Sequence, residues 1–286
     1  VRVLNLSYGT SSTQSWILDP LSYAVEQAWK HGIVVVVAAG NDGTTTQALA
    51  DPAINPYVLA VGADDPNNSL KVKDGTVPVF AQRGTAGRFV DVIAPGVHIL
   101  GLRDTNGYVD QTNPGGRVGT RFMRGSGTSQ AAAVVSGVAA LVLQRYPTAT
   151  PDQVKYLIMS SASKFKAGKD IWKGLGVVNA STALYGANPQ DAPVQNYQAA
   201  TGTGTIEGAR GGSHVALGGV TLTGEKDIFG QAWVPTTWAS AIAANTSWSG
   251  GSYNGSAWTG TGWAAPASRA AATWAGVDWT GAAWAS

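Results

Sequence analysis

The 286-residue chain contains no cysteine. That excludes disulfide bridges, thiolate metal sites and a cysteine nucleophile, while leaving the compartment open. Charge is scarce too. Asp, Glu, Lys and Arg make up 13% of the residues, against a usual share of about 25%, and the net charge is +2. With no patch dense in Lys or Arg, the chain has no electrostatic footprint for nucleic acid. No apolar run approaches the ~20 residues needed to cross a bilayer. The strongest, residues 131–143, is interrupted by Ser136 and Gly137. Nor does the chain open on a basic region followed by an apolar one. It starts on a strand-like run, Val1 to Leu6, so an export signal, if the protein has one, is expected elsewhere.

Glycine, at 37 residues, is over-used against a usual share of ~7%, which suits a loop-rich globular protein. The length allows one large or two modest domains with a substantial core. Residues 1–6 read as a strand. Asp19-Pro20 opens a helix whose apolar face is Leu21, Ala24, Val25, Ala28 and Trp29, with His31-Gly32 ending it. Ile33 to Ala38 is a continuous β-branched run, the mark of a strand buried on both faces. Strand, helix and buried strand form a right-handed βαβ unit. The expected fold is therefore α/β, a mostly parallel sheet with helices on both faces.

The stretch Gly127-Thr128-Ser129 followed by Gln130 to Gly137 organises the rest. No charge lies between Arg124 and Arg145, and Ala131 to Leu143 is almost wholly small or apolar. A helix apolar all round is expected to be buried on every side. Its entrance is a serine-bearing turn, where free N–H groups and the helix dipole stabilise developing negative charge. Two readings stand there: a nucleophile for acyl transfer, or an N-cap formed by Thr128 or Ser129. Asn41 has a similar pair. It follows the buried strand at its carboxyl end, where α/β sheets place ligands, yet Asn41-Asp42-Gly43 is also a plain turn.

Gly127-Thr128-Ser129-Gln130-Ala131-Ala132-Ala133-Val134-Val135-Ser136-Gly137 resembles the nucleophile motif of the subtilisin-like serine proteases, the subtilases. Ala133 and Val134 depart from it, standing where the family usually has Pro and His. Ala38-Ala39-Gly40-Asn41 resembles the segment whose asparagine amide donates to the oxyanion. Together with Ser7-Tyr8-Gly9, Ala38, Ala39 and Gly40 resemble the two backbone segments that flank the substrate. Residues 55–63, 90–96 and 173–180 match further family segments in order, so the resemblance covers about residues 1–185. It implies a serine endopeptidase acting through an acyl-enzyme on Ser129. Asn41 and the Ser129 N–H would be the oxyanion donors, and Gly127 and Thr128 would border the substrate. It also implies a secreted or cell-surface location.

A serine nucleophile needs a base and an acid that orients it. In this family both precede the serine, in His and Asp contexts not found here. His31 stands at a helix end, His98 in a strand-like run and His214 beyond the domain; Asp91 reads as structural. The expectation is an N-terminal fragment of the same precursor that supplies both groups, leaving the isolated chain inactive. The rival is a catalytically inactive, subtilase-derived structural subunit that self-associates through its tail. No cofactor is implied. The loop Pro52-Ala53-Ile54-Asn55 offers carbonyls to calcium, but no carboxylate cluster accompanies it.

Beyond residue 185 the pattern changes. Residues 186–230 read as a linker and a small β appendage, and 205–211 and 222–230 resemble an appendage of some actinobacterial secreted subtilases. Residues 231–286 form a Trp-rich tail. Trp248, Tyr253, Trp258 and Trp263 stand five apart, Trp274, Trp279 and Trp284 resume the step, and Trp233 and Trp238 share its register. Gly250, Gly255, Gly260, Gly276 and Gly281 each stand two residues after one of these aromatics, pairing a large packing ring with a glycine that permits a tight turn. Three roles stand for this tail: a strap on its own domain, a self-association element, or a surface that stacks on cell-wall glycan.

Overall fold

The computed structural model describes residues 1–257 except 86, 106, 165–173, 218–219, 229, 250–251 and 254–255. Contacts group these residues into two units, 1–9 with 28–197 and 10–27 with 198–257. In chain order the first unit holds β1 (Val3–Leu6), the end of α1 (Pro20–Lys30), β2 (Val34–Ala38), β3 (Leu59–Asp64), β4 (Gly84–Thr85), β5 (Arg88–Phe89) and β6 (Val92–Pro95). It continues with β7 (Ile99–Leu102), α2 (Tyr108–Thr112), β8 (Arg117–Val118), β9 (Phe122–Gly125), α3 (Thr128–Arg145), α4 (Pro151–Ser160) and α5 (Ala180–Tyr185).

Four strands pair in the order β1-β2-β3-β6, all parallel, with Val3 beside Val34, Val36 beside Leu59 and Val61 beside Val92. Every residue of β2 and β3 is buried. Their β-branched side chains suit a strand covered on both faces, and each buried Val or Leu contributes about 1.5–3 kcal/mol. Helix α3 packs across all four strands. A separate antiparallel ribbon, β7-β9-β8, fills the interval between β6 and α3. The α/β fold with its parallel sheet is the one expected.

Two expectations about helices need correction. Helix α3 is not buried all round: Ala133, Gly137, Ala140 and Leu141 form an exposed stripe, with Leu141 45% accessible. Small apolar residues occupy both sides of this helix, so composition could not distinguish its packed face from its open one. Helix α1 starts where expected, but its buried face is Ser22, Tyr23, Val25, Glu26 and Trp29, while Leu21, Ala24 and Ala28 are only half-buried. Polar Glu26 is tolerated inside because its carboxylate accepts from the Ala200 N–H at 3.0 Å. The capping box at Thr150 forms as read, with the Thr150 hydroxyl accepting from the Gln153 N–H and the Gln153 side chain accepting from the Thr150 N–H.

Residues 52–58 turn their carbonyls inward onto two cations of the chain itself. The Arg88 guanidinium donates to the carbonyls of Ala53, Asn55 and Val58, each at 3.2 Å, and to both oxygens of Asp91 at 2.9 and 3.0 Å. The Lys155 ammonium donates to the carbonyls of Pro56, Tyr57 and Val58 at 2.7, 3.3 and 3.0 Å. In the loop that the sequence offered to calcium, the Ala53 and Asn55 carbonyls are thus engaged by Arg88 and the Pro52 carbonyl accepts from the Asn55 N–H. Burial alone would raise the Asp91 carboxyl, but the charges of Arg88 and Lys155, with hydrogen bonds from Arg88 and the Ala60 N–H, hold it below its ordinary value. Burial pushes Lys155 down to about 8 against the pull of Asp91. Asp91 is structural.

The second unit mixes helix and strand within the span read as linker and small β appendage. Residues 206–210 form a helix, α6 (Ile206–Arg210), capped by the Thr205 hydroxyl, before a two-residue hairpin of β10 (Ala216–Leu217) and β11 (Val220–Thr221). A second helix, α7 (Pro235–Ala243), then carries Trp238. Local capping and Pro at the first helical position decide these helices, signals weaker than the Gly/Thr content that suggested strands. Trp233 and Trp238 lie 5.0 Å apart by ring centroid and pack with Tyr23, Ala200 and Ala239 in one cluster. The Tyr23 hydroxyl donates to the Ala239 carbonyl at 3.2 Å. Next comes an antiparallel set of two-residue strands, β12 (Trp248–Ser249), β13 (Ser252–Tyr253) and β14 (Ser256–Ala257). The repeats at Trp258, Trp263, Trp274, Trp279 and Trp284 lie outside the described residues.

Two outcomes follow for stability. Arg88→Met strips Asp91 of its main partner and leaves the Ala53 and Asn55 carbonyls without their donor, so urea melts should show a loss of about 3–5 kcal/mol; a loss below ~1 kcal/mol would mean the network is peripheral. Asp64, buried at the end of β3 with Oδ1 unpartnered, is pushed up to about 6 by burial and then by Asp65. Its folded pKa exceeds its unfolded one, so its stabilising protonation is complete below about pH 4 and lost as pH rises through 6. Asp64→Asn should therefore stabilise the protein at pH 7, by at most about 3 kcal/mol, and not at pH 4. A difference from wild type that is constant across that range would contradict this.

Candidate functional site

The parallel strands all end at one edge of the sheet. β1 runs out into Ser7-Tyr8-Gly9, β2 into Ala39-Gly40-Asn41 and β6 into Gly96. Helix α3 begins at that edge because the Gly127 N–H donates to the Gly96 carbonyl at 2.7 Å. A carboxyl-end crevice beside a helix N-terminus favours ligands that carry negative charge.

Asn41 joins these elements. Its Oδ1 accepts from the Thr128 N–H at 2.9 Å and from the Thr128 hydroxyl at 3.0 Å, while the Gly40 N–H donates to Thr128 Oγ1 at 3.1 Å. A backbone N–H can only donate, so the atom facing it must be the amide oxygen. That fixes the amide: Oδ1 is turned into the helix, and Nδ2 is left with no partner among the described residues. Thr128 is fully buried, whereas Asn41 is half-buried. Asn41 is therefore more than a turn residue. The cap reading of the serine turn also falls away, since Gly127 occupies the cap position and no local side chain caps α3.

Ser129 stands in the first turn of α3, half-buried. Its hydroxyl donates to the Ser7 carbonyl at 3.2 Å, and the Ser7 hydroxyl donates back to the Ser129 carbonyl at 3.1 Å. As one of the first N–H groups of the helix, the Ser129 amide has no internal acceptor. The two segments expected to flank a substrate also come together. Ala38 and Ala39 bury their side chains, Gly40 follows with φ +111°, and a Cβ there would collide with the Gln82 carboxamide. A Cβ on Gly9 would fall 2.7 Å from the Ala50 methyl. Glycine at 9 and 40 therefore lets both backbones close in on Ala50. Tyr8 remains 44% exposed; burial of its surroundings and then the charge of Asp51 push its phenol further above neutrality, so it stays protonated at pH 7.

No histidine imidazole bonds Ser129 among the described residues. His214 Nε2 meets Glu207 Oε1 at 3.0 Å, and His31 follows the end of α1. His98, expected within a strand, instead precedes β7 with φ +55°, and its backbone N–H donates to Ser126 Oγ at 2.9 Å. It reaches the segment before the serine turn by its main chain. Sequence reasoning missed Ala50, which meets Gly9 and Gly40 only in three dimensions. No group of three or more His, Asp or Glu able to hold a metal occurs among the described residues, and no described helix is long and apolar enough to cross a membrane.

The subtilase family model matches residues 1–204. The chain is 43% identical over 171 residues to serine protease AprX of Bacillus subtilis (strain 168), covering 59% of this chain and 39% of AprX. It is 32% identical over 183 residues to subtilisin DY of Bacillus licheniformis, covering 63% and 56%. Among solved structures, the prenylagaramide maturation protease PagA superposes with a TM-score of 0.50 at 30% identity, covering 64% of this chain and 61% of PagA. The chain thus spans less than two thirds of each of these relatives. Strand-end crevice, serine turn, oriented asparagine and sequence match agree: the chain belongs to the subtilase family.

Proposed function

We propose that this chain carries the nucleophile and oxyanion-binding portion of a secreted or cell-surface serine endopeptidase, hydrolysing peptide bonds through an acyl-enzyme on Ser129. The observation that carries this is the Asn41 amide, locked by Thr128 through Oδ1 so that Nδ2 stays free beside the partnerless Ser129 N–H. In acylation Ser129 Oγ bonds to the scissile carbonyl carbon and passes its proton to a base. The carbonyl oxygen becomes an anion held by Asn41 Nδ2 and the Ser129 N–H. Collapse then breaks the C–N bond, the base protonates the leaving amine, and water later cleaves the ester. The substrate backbone runs between Ser7-Tyr8-Gly9 and Ala38-Ala39-Gly40, with Gly127 and Thr128 behind the reacting carbonyl.

The base and its orienting acid come from an N-terminal fragment of the same precursor. Two features support this. Strand β1 ends the sheet order and is only partly buried. The exposed apolar stripe of α3 accompanies it, tied to β1 where the Ser136 hydroxyl donates to Asn5 Oδ1 at 2.9 Å. An unpaired strand edge next to an open apolar helix face is a surface that further strand and helix would cover.

Residues 1–286 alone should show no peptidase activity, and adding the preceding residues of the precursor should restore it. A fluorophosphonate should then label the completed enzyme and fail on Ser129→Ala. Ser129-dependent hydrolysis by the isolated chain would instead place the base within it, with His98 the first residue to change. In the completed enzyme Asn41→Leu should lower kcat by about 10²–10³ with little change in KM, a magnitude taken from subtilisin itself. A rise in KM alone would make Asn41 a positioning group for substrate.

A further inference from the structure

Thr128 holds the side chain of Asn41, but the backbone that carries that side chain is held from another direction. The segment that precedes β4 bonds along the turn at residues 40–43. The Gln82 N–H donates to the Gly40 carbonyl at 3.0 Å, and the Gly43 N–H donates to the Phe80 carbonyl at 2.7 Å. The Gln82 side chain adds two more bonds. Its Oε1 accepts from the Asp42 N–H at 3.3 Å, and its Nε2 donates to the Ala48 carbonyl. Gln82 therefore bonds both the residue before Asn41 and the residue after it. It is only 4% exposed, and its carboxamide fills the place that a Cβ on Gly40 would take.

A side chain that merely filled this space would need no polar end. Gln82 buries a donor and an acceptor, and each is matched by a backbone group at a different point of the loop after Asn41. The Thr128 lock sets the rotation of the Asn41 amide, yet Nδ2 meets an oxyanion only if residue 41 itself stands at the right distance. We propose that Gln82 is a positioning residue for the oxyanion donor, fixing the backbone on both sides of Asn41 and so the place of Nδ2. This rests on the peptidase reading. Gln82 acts through Asn41 alone, and no bond to Gln82 forms or breaks in the reaction. Preorganised groups lose their effect steeply when displaced, since a shift of about 1 Å can cost about 10²-fold.

The test is a double-mutant cycle in the completed enzyme. Gln82→Met keeps the bulk and removes both side-chain bonds. It should lower kcat about tenfold and leave KM within about twofold, short of the ~10²–10³ expected for losing the donor itself. In an Asn41→Leu background the same change should lower kcat by less than about twofold, because the group being positioned is gone. Gln82→Glu is the rescue. Burial favours its neutral acid, which accepts from the Asp42 N–H and donates to the Ala48 carbonyl as the carboxamide does, so kcat should stay within about threefold of wild type. If Gln82→Met does not fold, Gln82→Asn, too short to reach both partners, takes its place in the cycle.

Equal losses in both backgrounds would make Gln82 a general support of the fold and overturn the assignment. So would a rise in KM with kcat unmoved, or a loss in Gln82→Glu as large as that in Gln82→Met. If the wild-type enzyme shows no Ser129-dependent hydrolysis, or Asn41→Leu leaves kcat unmoved, the reading of the site fails and takes this inference with it. Ser129-dependent hydrolysis and a full Asn41→Leu loss, without coupling to Gln82, remove this inference alone.

Discussion

The hydrogen bond from the Thr128 N–H to Asn41 Oδ1 spans 87 residues of sequence and is the contact on which the site depends. It satisfies one of the orphan donors at the start of α3, orients a side-chain amide and ties the end of β2 to the serine turn. Each of these has a consequence for chemistry. An amide held at one end has only its other end to offer, and in the peptidase reading that end is the donor to the oxyanion. A free asparagine would spend part of its time turned over, presenting an oxygen where a donor is needed. The buried Thr128 hydroxyl reinforces the lock, since it also donates to Oδ1 and can then accept only from Gly40. Preorganised donors are effective because no reorganisation is left to do when charge develops.

Much of this was legible in the sequence, for identifiable reasons. The β-branched run Val34–Val37 could be nothing but a buried strand. Thr150 and Gln153 announced a capping box, and the order of the Asn41 and Ser129 segments carried the family resemblance. What escaped was whatever depends on a neighbour distant in sequence. The open stripe on α3 is composed of the same small residues as its packed face. The buried face of α1 includes Ser22 and Glu26, whose partners no local pattern reveals. Arg88 and Lys155 would pass for surface residues until their carbonyl partners are seen. Within residues 197–223, whose Gly- and Thr-rich composition suggested small β-structure, a helix capped by Thr205 forms ahead of the β10-β11 pair.

Polar groups are treated differently in different parts of the first unit. Around residues 52–58, buried carbonyls and Asp91 are matched by two cations, and the result is a rigid support behind β3. Burying ions in this way costs desolvation and adds little net stability. It does hold an irregular loop in one conformation. Two residues before that loop stands Ala50, on which Gly9 and Gly40 converge.

At the serine turn the balance is reversed. Asn41 Nδ2 and the Ser129 N–H are left without partners among the described residues at the start of α3. Neither helps to hold the fold together, so packing alone gives no reason to leave both open. In the peptidase reading a substrate carbonyl oxygen accepts from both, and the pair gains most when that oxygen becomes an anion. On that reading, what the resting fold leaves unpaired is what the transition state uses.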